Sequence, residues 1–143
     1  MAKVTRSIQI NAPVERVFAF MNQPTNLPDI WPNMVEVKDV QILPNGGASF
    51  KYAYKIAGIR LESFSEDTEY IINERTVSKS SGGIEGTSTF IYDKTQQGTN
   101  LTYVNEYKIP IPLIGKMAES AISKLATQDT VTLLNNLKTR MEA

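Results

Sequence analysis

Val4, Arg6, Ile8 and Ile10 alternate with Thr5, Ser7 and Gln9, and this alternation predicts a strand with one buried face. Asn11-Ala12-Pro13 ends the alternation and opens a helical stretch over residues 14–21. Pro13 suits a first turn, Glu15 suits the positive helix end, and Val14, Val17, Phe18 and Met21 share one stripe. Pro24, Pro28 and Pro32 each remove a backbone donor, so residues 24–30 fit only a short broken helix, with Trp31 at its end. Strand patterns then cover residues 35–43, 48–57, 60–72, 75–80, 84–93 and 101–109. The turn signals between them are Pro44-Asn45-Gly46-Gly47, Gly58, Asn73-Glu74, Ser81-Gly82-Gly83 and residues 96–100. Short turns between successive strands predict an antiparallel meander.

The chain closes on a long amphipathic helix over residues 113–141, entered through the stiff hinge Ile109-Pro110-Ile111-Pro112. Ile114, Met117, Ala118, Ala121, Ile122, Leu125, Leu134, Leu137 and Met141 form its apolar stripe, mostly at steps of three or four. Thr127, Thr130, Val131 and Thr132 lower helix propensity and predict a local bend or fray. The order strand, short helices, many strands, long helix predicts an α+β plan in which a sheet curls around the terminal helix and leaves a cavity.

Composition narrows the chemistry. Residues 1–143 suit a single domain with a real core. Fifteen basic and fifteen acidic residues cancel, so no global field favours nucleic acid or an anionic membrane. The absence of cysteine excludes a disulfide framework and a thiol nucleophile. The absence of histidine removes the commonest general base and metal ligand. No apolar run reaches the roughly 20 residues of a membrane span, and residues 1–7 lack a signal peptide's apolar stretch. The expectation is a cytoplasmic protein, monomer or weak homodimer, with no metal or cofactor and no nucleic-acid partner.

The segment Asn11-Ala12-Pro13-Val14-Glu15-Arg16-Val17-Phe18 resembles the opening "I-x-A-P-x-E-x-V-F" of the START-like helix-grip (SRPBCC) superfamily. That group includes the polyketide cyclase/dehydrase and lipid-transport proteins. Pro28-Asp29-Ile30-Trp31-Pro32-Asn33-Met34 is similar to its "L-x-x-W-x-P" region, here with proline directly after tryptophan. Gly98-Thr99-Asn100-Leu101-Thr102-Tyr103 is similar to its "G-G-T-x-L-x-Y" turn. The resemblance covers nearly the whole chain. It implies a seven-stranded antiparallel sheet gripping a long C-terminal helix, two short helices after the first strand, and an apolar pocket between sheet and helix. The superfamily holds carriers, hormone receptors, cyclases, oxygenase domains and a chaperone co-factor, among which fold alone does not choose. The oxygenase branch is excluded, because its iron site needs histidines.

Phe50, Tyr52, Tyr54 and Ile56 alternate on one strand and form the clearest candidate lining, since tyrosine offers an apolar face and one polar tip. Phe18, Leu27 and Trp31 are candidates from the short helices, and Phe64, Phe90, Tyr103 and Tyr107 from later strands. Met117, Ala121 and Ile122 are candidates from the final helix. The competing expectation for each is ordinary core. Arg60 and Glu62 share a strand face with Phe64, and Leu61 and Ser63 take the other, so an inward Phe64 brings Glu62 inward as well. Glu106 reaches a pocket only if its face, rather than the Tyr103 and Tyr107 face, points in. The serines and threonines over residues 76–89 suit a solvated or cross-strand face, and residues 82–86 a hairpin turn.

Three functions fit. The leading one is a non-catalytic carrier or sensor whose partner is a small hydrophobic molecule, a lipid, sterol-like or aromatic compound. The second is a cyclase/aromatase-type enzyme without metal, with Glu62 as base and Tyr54 or Tyr52 as proton donor beside Arg60. The third is a protein-interaction module that needs no cavity.

Overall fold

The computed structural model describes residues 2–56, 58–108 and 119–143. The expected hinge and the first turns of the final helix, with Ile114, Met117 and Ala118, lie outside the described residues. The elements are β1 (Ala2–Ile10), α1 (Val14–Met21), a 3-10 turn (Pro24–Asn26), α2 (Leu27–Ile30), β2 (Met34–Ile42), β3 (Ala48–Ile56), β4 (Ile59–Ile71), β5 (Arg75–Gly82), β6 (Glu85–Lys94), β7 (Thr99–Lys108) and α3 (Glu119–Glu142).

All seven strands join one antiparallel sheet in the order β1-β7-β6-β5-β4-β3-β2. β2 through β7 form the expected meander, and β1 closes on β7 with Ala2 opposite Tyr107 and Ile10 opposite Thr99. The Pro44–Gly47 turn is tight because Gly46 takes φ +94°, a conformation that L side chains rarely adopt. Gly86 is required for a different reason: a Cβ there would run into the Glu106 carbonyl of the neighbouring strand.

α3 is 24 residues long, about 36 Å at the usual rise per residue. It is continuous through residues 127–132, with no fray there, and Thr127 and Thr130 each donate to the carbonyl four residues back, Ser123 O and Ala126 O, at 3.0 Å. Its buried stripe passes through Ile122, Thr130, Leu133, Leu134, Leu137 and Met141. Leu125 and Ala121, expected on that stripe, are exposed. The C-terminal half of α3 is fastened at several points. Lys138 Nζ donates to Gln9 O at 2.8 Å, Asn11 N donates to Glu142 Oε2 at 2.8 Å, and Asn136 Nδ2 donates to Ile30 O at 3.0 Å.

Two packed clusters result. The larger joins Ile10, Val17, Phe18, Ile30, Leu101, Leu133 and Leu137 with their neighbours, and the smaller joins Val4, Ile56, Leu61, Tyr107 and Ile122. Between them the concave face of the sheet is not filled.

Candidate functional site

The register explains the gap. On the concave face, one row crosses the sheet as Phe50, Ser65, Ser80, Gly86 and Tyr107. A second row runs from Asp67 through Ser78 and Ser88 to Asn105. In these two rows β4, β5 and β6 present only Ser65, Asp67, Ser78, Ser80, Gly86 and Ser88, while Phe50 on β3 and Tyr107 on β7 stand at the flanks. A concave sheet with serines at its centre leaves a hollow that α3 alone does not fill. The hollow has a volume of about 130 Å³, close to the ~150 Å³ that holds one benzene ring in an engineered protein core.

Phe50, Phe90, Tyr103, Met34 and Leu27 supply the apolar wall, and Ile56, Ile84 and Ala126 close it toward α3. Phe90 and Tyr103 stack with ring centroids 4.4 Å apart and planes at 12°. Trp31 meets Tyr103 and Tyr54 edge-on at 5.9 and 6.5 Å. The polar wall is made of separate hydrogen-bonded pairs. Tyr52 donates to Ser80 at 3.0 Å, Ser78 donates to Asp67 at 2.6 Å, and Tyr103 Oη lies 3.4 Å from Ser88 Oγ.

One carboxylate gathers the surrounding elements. Asp129 on α3 accepts from Trp31 Nε1 at 2.6 Å and from Asn33 Nδ2 at 2.8 Å, and it also accepts the Tyr54 hydroxyl. It therefore ties the segment after α2 and strand β3 to the final helix. Asp129→Ala leaves the half-buried Trp31 and Tyr54 donors without an acceptor, which is expected to cost about 2–3 kcal/mol. Chemical denaturation measures the loss, and an altered Trp31 emission shows that the tie has opened. Unchanged stability and emission would contradict the assignment.

Burial pushes the phenols of Tyr54, Tyr92 and Tyr103 well above the usual tyrosine range, and the Asp129 carboxylate adds to this at Tyr54. These groups therefore stay protonated near neutrality. Because their pKa values are raised in the fold, the stability they carry is complete below about pH 10, the unfolded tyrosine value, and is lost as pH rises through the folded values. Phenolate absorbance from these residues is expected to appear together with loss of circular dichroism in an alkaline titration. A phenolate signal from them well before unfolding would contradict their burial.

Of the candidates from sequence, Leu27, Trp31, Phe50, Tyr52, Tyr54, Ile56, Phe90, Tyr103 and Tyr107 border the hollow. The inward face of β7 is the one with Tyr103 and Tyr107, and Glu106 lies outside, 4.0 Å from Lys3. Phe64 is corrected: it is 38% exposed on the outer face. Tyr54 pairs with Leu61, Tyr52 with Ser63 and Phe50 with Ser65, so those partners share the inward face and Phe64 takes the other. Glu62 and Arg60 go outward with it. Arg60 binds Glu36 at 2.6 Å and lies 3.8 Å from Glu62, so neither reaches the hollow. Phe18 is core, edge-on to Tyr70 and Tyr92 at 5.4 and 5.0 Å. Ala121 is exposed, Ile122 is buried in the smaller cluster rather than at the hollow, and Met117 lies outside the described residues.

Of the two expectations for residues 76–89, a solvated or a cross-strand face, Thr76, Ser78, Ser80 and Ser88 follow the second: they pair across strands and border the hollow. Sequence reading missed Asp129 and Asp67 altogether. For Asp67 a signal existed: it shares strand parity with Leu61, Ser63 and Ser65, and fixing one inward residue fixes all four. For Asp129 the buried positions Ile122, Thr130 and Leu133 mark the helix face beside which it stands.

This architecture defines a helix-grip protein with a hollow between sheet and terminal helix. The chain belongs to the polyketide cyclase/dehydrase and lipid-transport family, whose sequence model matches residues 1–142. Comparison with curated proteins gives no match. Among solved structures, a START superfamily protein from Mycobacterium smegmatis is similar with a TM-score of 0.78 at 16% identity, covering 98% of this chain and 97% of that one. The two-domain aromatase/cyclase StfQ of the steffimycin biosynthetic pathway gives 0.79 at 13% identity, over 98% of this chain and 50% of StfQ. The Aha1 dimer from Colwellia psychrerythraea gives 0.71 at 13% identity, over 99% and 97%. At such identities the likeness is one of fold. No helix among the described residues is long and apolar enough to cross a membrane.

Proposed function

We propose that this protein is a non-catalytic carrier or sensor of a small, largely apolar molecule held between the sheet and α3. The observation that carries the reading is the unfilled concave face, with aromatic flanks and a hydroxyl-lined floor. Natural cores pack at close to crystal density. A hollow bordered by both apolar and hydrogen-bonding groups is therefore the feature that needs a purpose. Burial of the ligand's apolar area supplies affinity at roughly 25 cal/mol per Å² before ordering costs, and the hydroxyls fix its orientation. Trp31 and Asn33, held to α3 through Asp129, form the latch that opens to admit it.

The enzyme reading is weaker, because its nominated base Glu62 and partner Arg60 sit on the outer face. Trp31 is the chain's single tryptophan and borders the hollow, so it reports occupancy. Titration with neutral one-ring compounds is expected to change its emission saturably, with one ligand per chain. No response at millimolar concentration from any of them would sink the proposal.

A further inference from the structure

The phenols at the hollow are partnered, with one exception. Tyr52 donates to Ser80, Tyr54 donates to Asp129, and Tyr92 Oη accepts from Asn22 Nδ2 at 3.5 Å. Tyr107 Oη is buried and is the one such side-chain polar atom among the described residues without a hydrogen bond. The residue is 5% exposed and stands opposite Gly86 on the inward face, at the end of the serine row. Burial pushes this phenol up, and the Ser123 hydroxyl on α3 stands near enough to oppose that shift without reaching hydrogen-bond geometry, so the phenol remains a proton donor with no acceptor. A buried donor without an acceptor costs stability, and a native protein that keeps one needs a reason.

The charges at the hollow give a second, independent indication. Asp67 and Asp129 border it, and no lysine or arginine does so among the described residues. An anion placed there would lose its hydration and meet two carboxylates with no counter-charge. A neutral molecule pays neither penalty.

We propose that the hollow takes an uncharged ring compound bearing a carbonyl oxygen, and that Tyr107 Oη–H donates its hydrogen bond to that oxygen. This rests on the container reading above. The phenyl-sized space seats the ring against Phe50, Phe90 and Tyr103. The carbonyl reaches Tyr107 past Ile84, which is half-buried and packs on the same small cluster. Fatty acids and other carboxylates are excluded by charge rather than by size.

Three probes of nearly equal shape test this by calorimetric titration: acetophenone, α-methylstyrene and benzoate. The wild-type protein is expected to bind acetophenone about three- to tenfold more tightly than α-methylstyrene, the range for one neutral hydrogen bond, and benzoate more weakly than either. Tyr107→Phe is expected to erase the preference for the ketone, bringing acetophenone affinity down to that of α-methylstyrene. The unbound variant is expected to melt no lower than wild type, because the change removes an unpartnered hydroxyl. A ketone preference that survives Tyr107→Phe, benzoate binding as tight as acetophenone binding, or a clearly destabilised variant would each overturn the inference. If the probes bind without discrimination, the inference fails and the container stands. If no probe binds and Trp31 emission answers to no neutral ring compound, both fail together.

Discussion

Ser65→Phe is expected to abolish ligand uptake while the protein stays folded. Ser65 lies between Phe50 and Ser80 in the row that forms the floor of the hollow. A phenyl group added there occupies the one-ring space that the serines leave open. A one-ring ligand that buries on the order of 120 Å² of apolar area gains about 3 kcal/mol. Its exclusion therefore costs more than about a hundredfold in affinity. The fold should tolerate the ring because it enters a void, although imperfect fit costs on the order of 1 kcal/mol. Parallel ligand titration and thermal melts of wild type and variant check both halves of this expectation. A variant that binds as wild type does would place the ligand elsewhere.

Leu137→Ala is expected to produce a large loss of stability. Leu137 is 0% exposed and belongs to the larger cluster with Leu133, Ile10 and Leu101. It stands in the part of α3 that Lys138, Asn136 and Glu142 fasten to the segments around β1 and α2. With the helix held in place, the surroundings collapse little onto the vacated space, so the loss falls within the 2–5 kcal/mol range for such truncations. For a chain of this size, a loss of 3 kcal/mol lowers Tm by about 10 °C. Denaturant and thermal unfolding measure it directly. A loss under about 1 kcal/mol would mean that this half of α3 does not anchor the fold.

Much of the architecture was legible because each strand advertises itself. The alternation at Val4, Ile8 and Ile10, the Pro44–Gly47 turn and the aromatic row of β3 each carry a local signal. The resemblance to the helix-grip superfamily then supplied the connection between them. The inward face of β4 was not legible for a physical reason. The aromatic residue in the middle of the strand, Phe64, lies on the outward parity, and beyond Leu61 the inward parity carries Ser63, Ser65 and Asp67. The rule that apolar groups go inward picks the wrong face of a strand whose function is to leave space. The same inversion hid Thr76, Ser78, Ser80 and Ser88. On α3 the buried stripe passes through Thr130, and an apolar stripe drawn through Leu125 is rotated away from it. Asp129 was invisible because its partners Trp31, Asn33 and Tyr54 lie at least 75 residues away in sequence. Only the three-dimensional fold brings those donors to one carboxylate.

The central claim is that the space between sheet and α3 is a binding cavity. Native mass spectrometry of wild type and Ser65→Phe, each mixed with a library of neutral ring compounds, tests it most directly. The account predicts a one-to-one adduct on the wild-type protein that denaturation releases, and none on Ser65→Phe. A wild-type protein that takes up nothing from the library, or a variant that carries the same adduct, would contradict it.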